Sequence, residues 1–321
     1  MNLENIKIEK ELKIIFMGTP DFSVPILKSL IENYKVRAVV TQPDKVVGRG
    51  GNISFSPIKK VAIENTILTL QPEHIRDSVD EILALEPDLI ITCAYGQILP
   101  RAILDFPKYG CINVHASLLP KYRGGAPIHR AIMNGAKKTG ITIMYMNPKM
   151  DEGDIISQAE VDITDIETAS SLHDKLSILG AKLLMETLPS ILNGTNNRIP
   201  QDSSKASYGF VIKREDEKIN FSKTKREIYN QIRGLNSWPG SYCLCDSKIL
   251  KVWESYITDN FYPNKFNGEI TNVYKDGFGV KVENGEIVFT VVQPEGKPKM
   301  HATDFINGLL NKGPVVGKIL E

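Results

Sequence analysis

Short apolar runs alternate with helix-spaced apolar residues through the first half of the chain. Residues 12–17 (LKIIFM) form the first run and stop at Gly18, Thr19 and Pro20. Asp21 then precedes Phe22, Val24, Ile26, Leu27, Leu30 and Ile31, which share one face of a helix. Further strand-like runs fall at 36–41, 67–70, 88–93 (DLIITC), 111–114 and 140–146 (GITIMYM), with a helix near 76–85. Strand and helix in this order predict an α/β, Rossmann-like domain: a mostly parallel sheet covered by helices on both faces. Such sheets bind ligands just beyond the carboxyl ends of their strands.

Leu172, Leu176, Leu179, Leu183, Leu184 and Leu188 continue at helical spacing, so 169–192 reads as a long closing helix. Residues 193–209 (NGTNNRIPQDSSKASYG) are polar and turn-rich, as in a linker. One helix is expected over 223–233. The pattern then changes to short β runs at 249–253, 268–273, 279–282 and 286–292, punctuated by Gly, Asn and Asp, which predicts a small OB-like β-barrel. The expected organisation is a catalytic domain over 1–192 with an insertion loop at 41–54, a linker over 193–209 and a second domain over 210–321. Trp238, with Pro239 and Gly240, is expected to anchor a loop against the barrel, and Phe22 to pack in the core.

Composition narrows the function. The 321 residues carry 39 basic and 38 acidic side chains, a formal charge of +1, and 42% are hydrophobic, as in an ordinary globular protein. No apolar run is long enough to span a bilayer, and the charged start MNLENIKIEKEL lacks the apolar core of a secretory signal, so a cytoplasmic location is expected; a monomer is expected separately, with no sequence feature behind it. Cys93, Cys111, Cys243 and Cys245 are too few for a disulfide scaffold, and no matching ligand pair stands near Cys243 and Cys245, so no metal site is expected. Charge does gather at 205–233, where eight basic residues face four acidic ones.

The first βα turn lacks the G-x-G-x-x-G glycines and no Walker loop occurs, which argues against a nicotinamide oxidoreductase or an ATPase. The informative stretch is 111–128, CINVHASLLPKYRGGAPI. Asn113 and His115 stand two apart in an extended run, so their side chains project to one face at a strand end. Asp151, in the Gly-containing loop 150–154 after the 140–146 strand, offers a carboxylate. Singly, each has an ordinary structural role: a hydrogen-bonding histidine, a turn aspartate. Together they suit acyl transfer, with His115 as base, the amide as oxyanion donor and the carboxylate orienting the ring. A serine hydrolase built on Ser117 competes for these residues, but Ser117 is not in a G-x-S-x-G elbow. Asp154 is the rival carboxylate, and a turn role is expected for it.

The run N-V-H-A-S-L-L-P-K-Y-R-G-G-A-P-I resembles the signature of the folate-dependent formyltransferases. Further matching stretches are I-F-M-G-T-P-D-F, T-Q-P-D-K followed by G-R-G, A-Y-G-Q-I-L-P, M-D-E-G-D-I, L-N-S-W-P-G and I-L-K-V-W, which extend the resemblance over nearly the whole chain. It implies 10-formyltetrahydrofolate as donor and methionyl initiator tRNA as acceptor, hence a transferase of one-carbon metabolism serving translation initiation. An amino-sugar (UDP-sugar) formyltransferase using the same donor is the alternative, and a non-catalytic RNA-binding protein the alternative from another class. The implied catalytic residues are Asn113, His115 and Asp151. The implied folate contacts are Ser117, Leu118, Leu119 and Pro120, with Tyr95, Gly96 and Ile98 beside the pterin pocket. The implied tRNA-probing insertion is 41–54, centred on Arg49, although Gly51 and Asn52 stand where lysines are common. Lys213, Arg214, Lys223, Lys225, Arg226 and Arg233 are the expected backbone contacts from the second domain.

Overall fold

The apolar runs of the first half become one seven-stranded sheet. The computed structural model describes residues 12–47, 51–311 and 313–321. Its strands are β1 (Ile14–Gly18), β2 (Val36–Val40), β3 (Lys45–Val47), β4 (Asn52–Ser54), β5 (Leu68–Leu70), β6 (Leu89–Cys93), β7 (Cys111–His115), β8 (Lys138–Tyr145) and β9 (Ile155–Asp162). The sheet order is β5-β2-β1-β6-β7-β8-β9, with β3 and β4 forming a separate hairpin. Pairing is parallel from β5 through β7 and antiparallel between β7 and β8. Every residue of β1 and β6 is buried, which explains why these strands read as continuous apolar runs rather than alternating ones. The chain moves outward from β1 to β2 and β5, then returns to place β6 on the other side of β1. That reversal opens a crevice at the strand ends occupied by Gly18 and Cys93.

Helix Val24–Asn33 buries Ile26, Leu27 and Leu30, and Phe22 is buried as expected. Helix Pro57–Glu64 starts with Ser56, whose hydroxyl accepts from Lys59 N and satisfies an otherwise unmet donor of the first turn. Burial pushes the thiols of Cys93 and Cys111 up to about 12, so neither is a ready nucleophile.

The second sheet is antiparallel. It comprises β10 (Ser241–Cys245), β11 (Lys248–Ile257), β12 (Ile270–Val273), β13 (Phe278–Val282), β14 (Gly285–Pro294) and β15 (Met300–His301). The order is β10-β11-β14-β13-β12, with β15 on β14. The two free edges are joined by the last residues: Leu244 N donates to Glu321 O, and Ile270 N to Lys318 O. Cys243 and Cys245 both face the apolar interior with Leu250, Phe278 and Phe289, and burial raises both thiols. Helix Lys225–Gly234 begins with a reciprocal cap between Thr224 and Glu227.

The division of the chain departs from the expected boundaries. One compact unit takes residues up to Pro127, Lys138–Val161 and His173–Phe210; the other takes Ile128–Lys137, Asp162–Leu172 and Val211–Glu321. Residues 193–209 are therefore no free linker. Ile199 exchanges backbone hydrogen bonds with Ile155, and Gly209 N donates to Arg123 O. Residues 128–137 join the barrel's unit, where Arg130 makes a two-pronged contact with Asp216 at 2.9 and 2.6 Å and His129 Nδ1 lies 2.8 Å from Gly234 O. Trp238 is a correction: it is 69% exposed. The buried tryptophan is Trp253, which covers Gly240 so closely that a Cβ there would come within 2.6 Å of the indole.

Candidate active site

Asn113 and His115 occupy alternate positions at the carboxyl end of β7 and share one face of the sheet. The imidazole is buried. Its Nε2 lies 3.1 Å from the Tyr122 carbonyl oxygen, which can only accept, so Nε2 carries the proton. In the neutral ring Nδ1 is then the atom free to take a proton, and it stands 3.7 Å from Asp151 Oδ2. That carboxylate oxygen also accepts from Gly124 N at 2.8 Å. Asn113 Oδ1 accepts from the Thr92 hydroxyl at 2.8 Å, which leaves the amide NH2 as the other end of the group. Among the described residues nothing accepts from that NH2. A half-buried donor without a partner is costly unless something else supplies an acceptor.

The Asp151 loop is held by a residue that the sequence alone did not suggest. Gln201 Nε2 donates to Asp151 O and to Gly153 O, both at 2.8 Å. Gln201 Oε1 accepts from Arg123 Nε at 3.1 Å and Nη2 at 2.9 Å. Arg123 is 1% exposed, and its Nη1 lies 3.1 Å from Glu152. The clamp fixes Asp151 at φ +53°, a left-handed conformation that aspartate tolerates better than most residues. Gly153 is required for a different reason: a Cβ there would lie 1.7 Å from Tyr145 O. Asp154 does not converge on the histidine. Its carbonyl accepts from Tyr145 N, and its carboxylate lies 3.9 Å from Arg198.

The S-L-L-P loop is pinned by the neighbouring strands. Thr142 Oγ1 donates to Ser117 O at 2.6 Å and accepts from Leu119 N at 3.1 Å. Gln158 Nε2 reaches both Leu119 O and Thr142 Oγ1. Leu119 is buried against Met144 and Ile155, while Leu118 and Pro120 are half-buried. Ser117 is fully buried, and its hydroxyl is spent on Lys121 O at 2.6 Å, which removes it as a hydrolase nucleophile. Beyond β6, Tyr95 is buried with its hydroxyl unpartnered, and burial pushes the phenol up to about 12. Gly96 adopts φ +89°, and Ile98 is 75% exposed beside a cleft of about 480 Å³ lined by His74, Arg76, Gln97 and Pro100. Among the described residues no three His, Cys, Asp or Glu side chains gather as a metal site would require.

Two family models match the chain: "Formyl transferase" over residues 12–188 and "Formyl transferase, C-terminal domain" over 211–310. A methionyl-tRNA formyltransferase of Geobacillus sp. (strain WCH70) is 52% identical over 302 residues, covering 92% of this chain and 94% of that protein. The enzyme of the same name from Bacillus subtilis (strain 168) is 50% identical over 313 residues, covering 95% and 98%. The chain belongs to the methionyl-tRNA formyltransferase family. The formyltransferase fold extends further: a sugar 3N-formyl transferase, WlaRD, superposes with a TM-score of 0.66 at 23% identity, covering 89% of this chain and 99% of that one. HypX from Aquifex aeolicus, solved with tetrahydrofolic acid, gives 0.65 at 16% identity, covering 95% of this chain and 48% of that one.

The residues of this formyltransferase expected to grip tRNA fare unevenly. Arg49 lies outside the described residues. Its insertion is otherwise the β3–β4 hairpin, which exposes Val46 and Ile53. Arg233 is a correction: it is buried, and its guanidinium is taken by Asn230 Oδ1 and by the carbonyls of Thr164 and Glu167. Burial lowers its pKa, so the sequence signal was charge without exposure. Lys225 donates to Thr258 O, Arg214 pairs with Glu217 and lies over the Tyr242 ring, and Arg226 is 3.5 Å from Asp165. Lys213 is exposed and 3.6 Å from Glu215. Lys223 is exposed and makes no side-chain hydrogen bond or ion pair among the described residues, but it is near enough to Glu227 to help lower that carboxyl.

Proposed function

We infer that this chain transfers the formyl group of 10-formyltetrahydrofolate to the α-amino group of methionyl initiator tRNA, giving N-formylmethionyl-tRNA for translation initiation. The observation that carries this reading is the unmatched NH2 of Asn113 at the same strand end as an imidazole whose open nitrogen faces a carboxylate. Relatives about half identical over nearly the full chain carry that name, which favours tRNA over an amino sugar as acceptor.

The chemistry follows from those groups. An α-amine of pKa about 7.7–8.0 is partly neutral near pH 7, so it can attack the formyl carbon without a strong base. As the new C–N bond forms, the formyl oxygen becomes an oxyanion, and Asn113 Nδ2 donates to it. One such donor is worth about 2.7–4 kcal/mol of transition-state stabilisation. His115 Nδ1 takes the proton that the attacking nitrogen must lose, directly or through one water, and Asp151 faces the charge that results. His115 then returns the proton to the departing N10 as the old C–N bond breaks. Leu118 and Pro120, with Ser117 and Leu119 buried behind them, form one wall for the folate, and Gly96 and Ile98, with Tyr95 buried beside them, the pterin side, at the crevice where the strand order reverses. We further infer that it acts as a monomer, and in the cytoplasm because that is where charged initiator tRNA is used. No helix among the described residues is long and apolar enough to cross a membrane.

The test offers the protein 10-formyltetrahydrofolate with either methionyl initiator tRNA or a UDP-amino sugar. Formylation of the tRNA alone is expected; formylation of the sugar alone would replace this reading with the runner-up.

A further inference from the structure

A pair of exposed rings stands close to the catalytic loop without a part in the chemistry above. Tyr208 and Phe210 are 46% and 58% exposed, and their rings stack with centroids 5.3 Å apart and planes 4° from parallel. Their backbone is firmly seated. Arg123 N donates to Ser207 O at 2.8 Å, Gly209 N to Arg123 O at 2.7 Å, and Ala126 N to Gly209 O at 2.7 Å. Ser207 Oγ accepts from Tyr122 N at 3.0 Å. The segment they pair with is the one that holds the catalytic groups: Tyr122 O accepts from the imidazole and Gly124 N donates to Asp151. The backbone that carries the rings therefore lies one strand spacing, about 4.8 Å, from the backbone that sets both contacts. Lys121, on that same segment, is exposed and has no side-chain partner among the described residues.

We propose that Tyr208 and Phe210 form a stacking platform for the unpaired 3′-terminal bases of the acceptor RNA, with Lys121 beside it for a backbone phosphate. The proposal rests on the acceptor being an aminoacyl-tRNA. Such a substrate carries its amine on an amino acid esterified to the terminal ribose, so the terminal base must lie within a nucleotide's reach of His115. Unpaired bases offer flat faces, and proteins hold them with exposed aromatic rings interleaved with cations. Seating the base would bring the ester to the catalytic groups in one orientation, which is how remote contacts speed a reaction at the amine.

The test uses a short RNA ending in CCA with 2-aminopurine as its last base, whose fluorescence falls on stacking. Quenching is expected with the wild-type protein, lost in the Tyr208→Ala/Phe210→Ala double variant and kept in Tyr208→Phe/Phe210→Tyr. The ratio of kcat/KM for methionyl-tRNA to that for methionine methyl ester should fall about tenfold or more in the alanine variant. Absence of quenching by wild type, quenching that survives the double alanine change, or an unchanged substrate ratio overturns the platform. A protein that quenches the probe but fails to formylate methionyl-tRNA removes the functional reading and keeps the platform.

Discussion

Around Glu286, in the barrel, a fully buried carboxylate has every oxygen met. Thr271 donates to Oε1, while Thr258, Tyr274 and Asn260 donate to Oε2 at 2.7, 2.7 and 3.0 Å. Around Asn113 the opposite holds: one amide end is tied to Thr92, the other donates to nothing described, and the histidine meets its carboxylate only at 3.7 Å. Both clusters sit among apolar residues. The first uses its polar groups to join strands β12 and β14 and the turn at Thr258, and leaves neither carboxylate oxygen without a donor. The second gives up that saturation, and the groups left open are those that a changing charge on a substrate can use.

The largest effect should separate the two clusters by activity. His115→Ala is expected to lower kcat by about 10²–10⁴ while leaving the melting temperature near wild type. Steady-state kinetics alongside thermal melting measure both, and retained turnover would place the proton transfer elsewhere. The barrel cluster should answer the other way. Glu286→Gln is expected to cost about 1–3 kcal/mol in stability, read by urea unfolding, because it presents an amide where donors now meet oxygens.

Acidity gives a second reading of the same carboxylate. Burial alone would raise Glu286, but the hydroxyls of Thr271, Thr258 and Tyr274 and the Asn260 amide outweigh it and hold the carboxyl below its ordinary value. A carboxylate lowered in the folded state stabilises above its unfolded pKa of about 4.3 and loses that contribution as pH falls below it. Wild-type stability should therefore drop more steeply than that of Glu286→Gln as pH is lowered from about 4.3. Parallel acid limbs would show that the network contributes nothing through charge.

The catalytic half of this contrast was largely legible in the sequence, the barrel half was not, and what stayed hidden did so for identifiable reasons. Strands β1, β6 and β7 stand out because burial on both faces leaves mostly apolar residues, so Asn113 and His115 are conspicuous at the end of such a run. Gln201 was not visible. It sits in a polar stretch that resembles a spacer, and its partners Asp151 and Arg123 are 50 and 78 residues away. Arg233 was misread because a charge says nothing of burial, and Trp238 because the indole that packs is decided by which strand comes to lie over Gly240. Periodicity reports which face of an element is covered; it does not report which distant polar groups meet.

Smaller effects sharpen the picture. Gln201→Leu should cut kcat about tenfold by releasing the Asp151 loop, with KM for the folate little changed, since a modest displacement of a catalytic group is already costly. Gln201→Glu keeps the acceptor for Arg123 but loses both donors to the loop, so it should fall with Gln201→Leu. Recovery by Glu would assign the clamp to Arg123 alone. The smallest change is expected at Lys223: Lys223→Ala should weaken tRNA binding modestly and reduce the slope of log K against log salt by about 1. An unaltered slope would remove Lys223 from the tRNA interface.

The most direct measurement is a single-turnover rate of formyl transfer, with saturating 10-formyltetrahydrofolate and methionyl-tRNA, for wild type and Asn113→Ala. If the open amide of Asn113 stabilises the oxyanion, the rate falls about 10²–10³-fold while both substrates bind as before. A rate within threefold of wild type would contradict it.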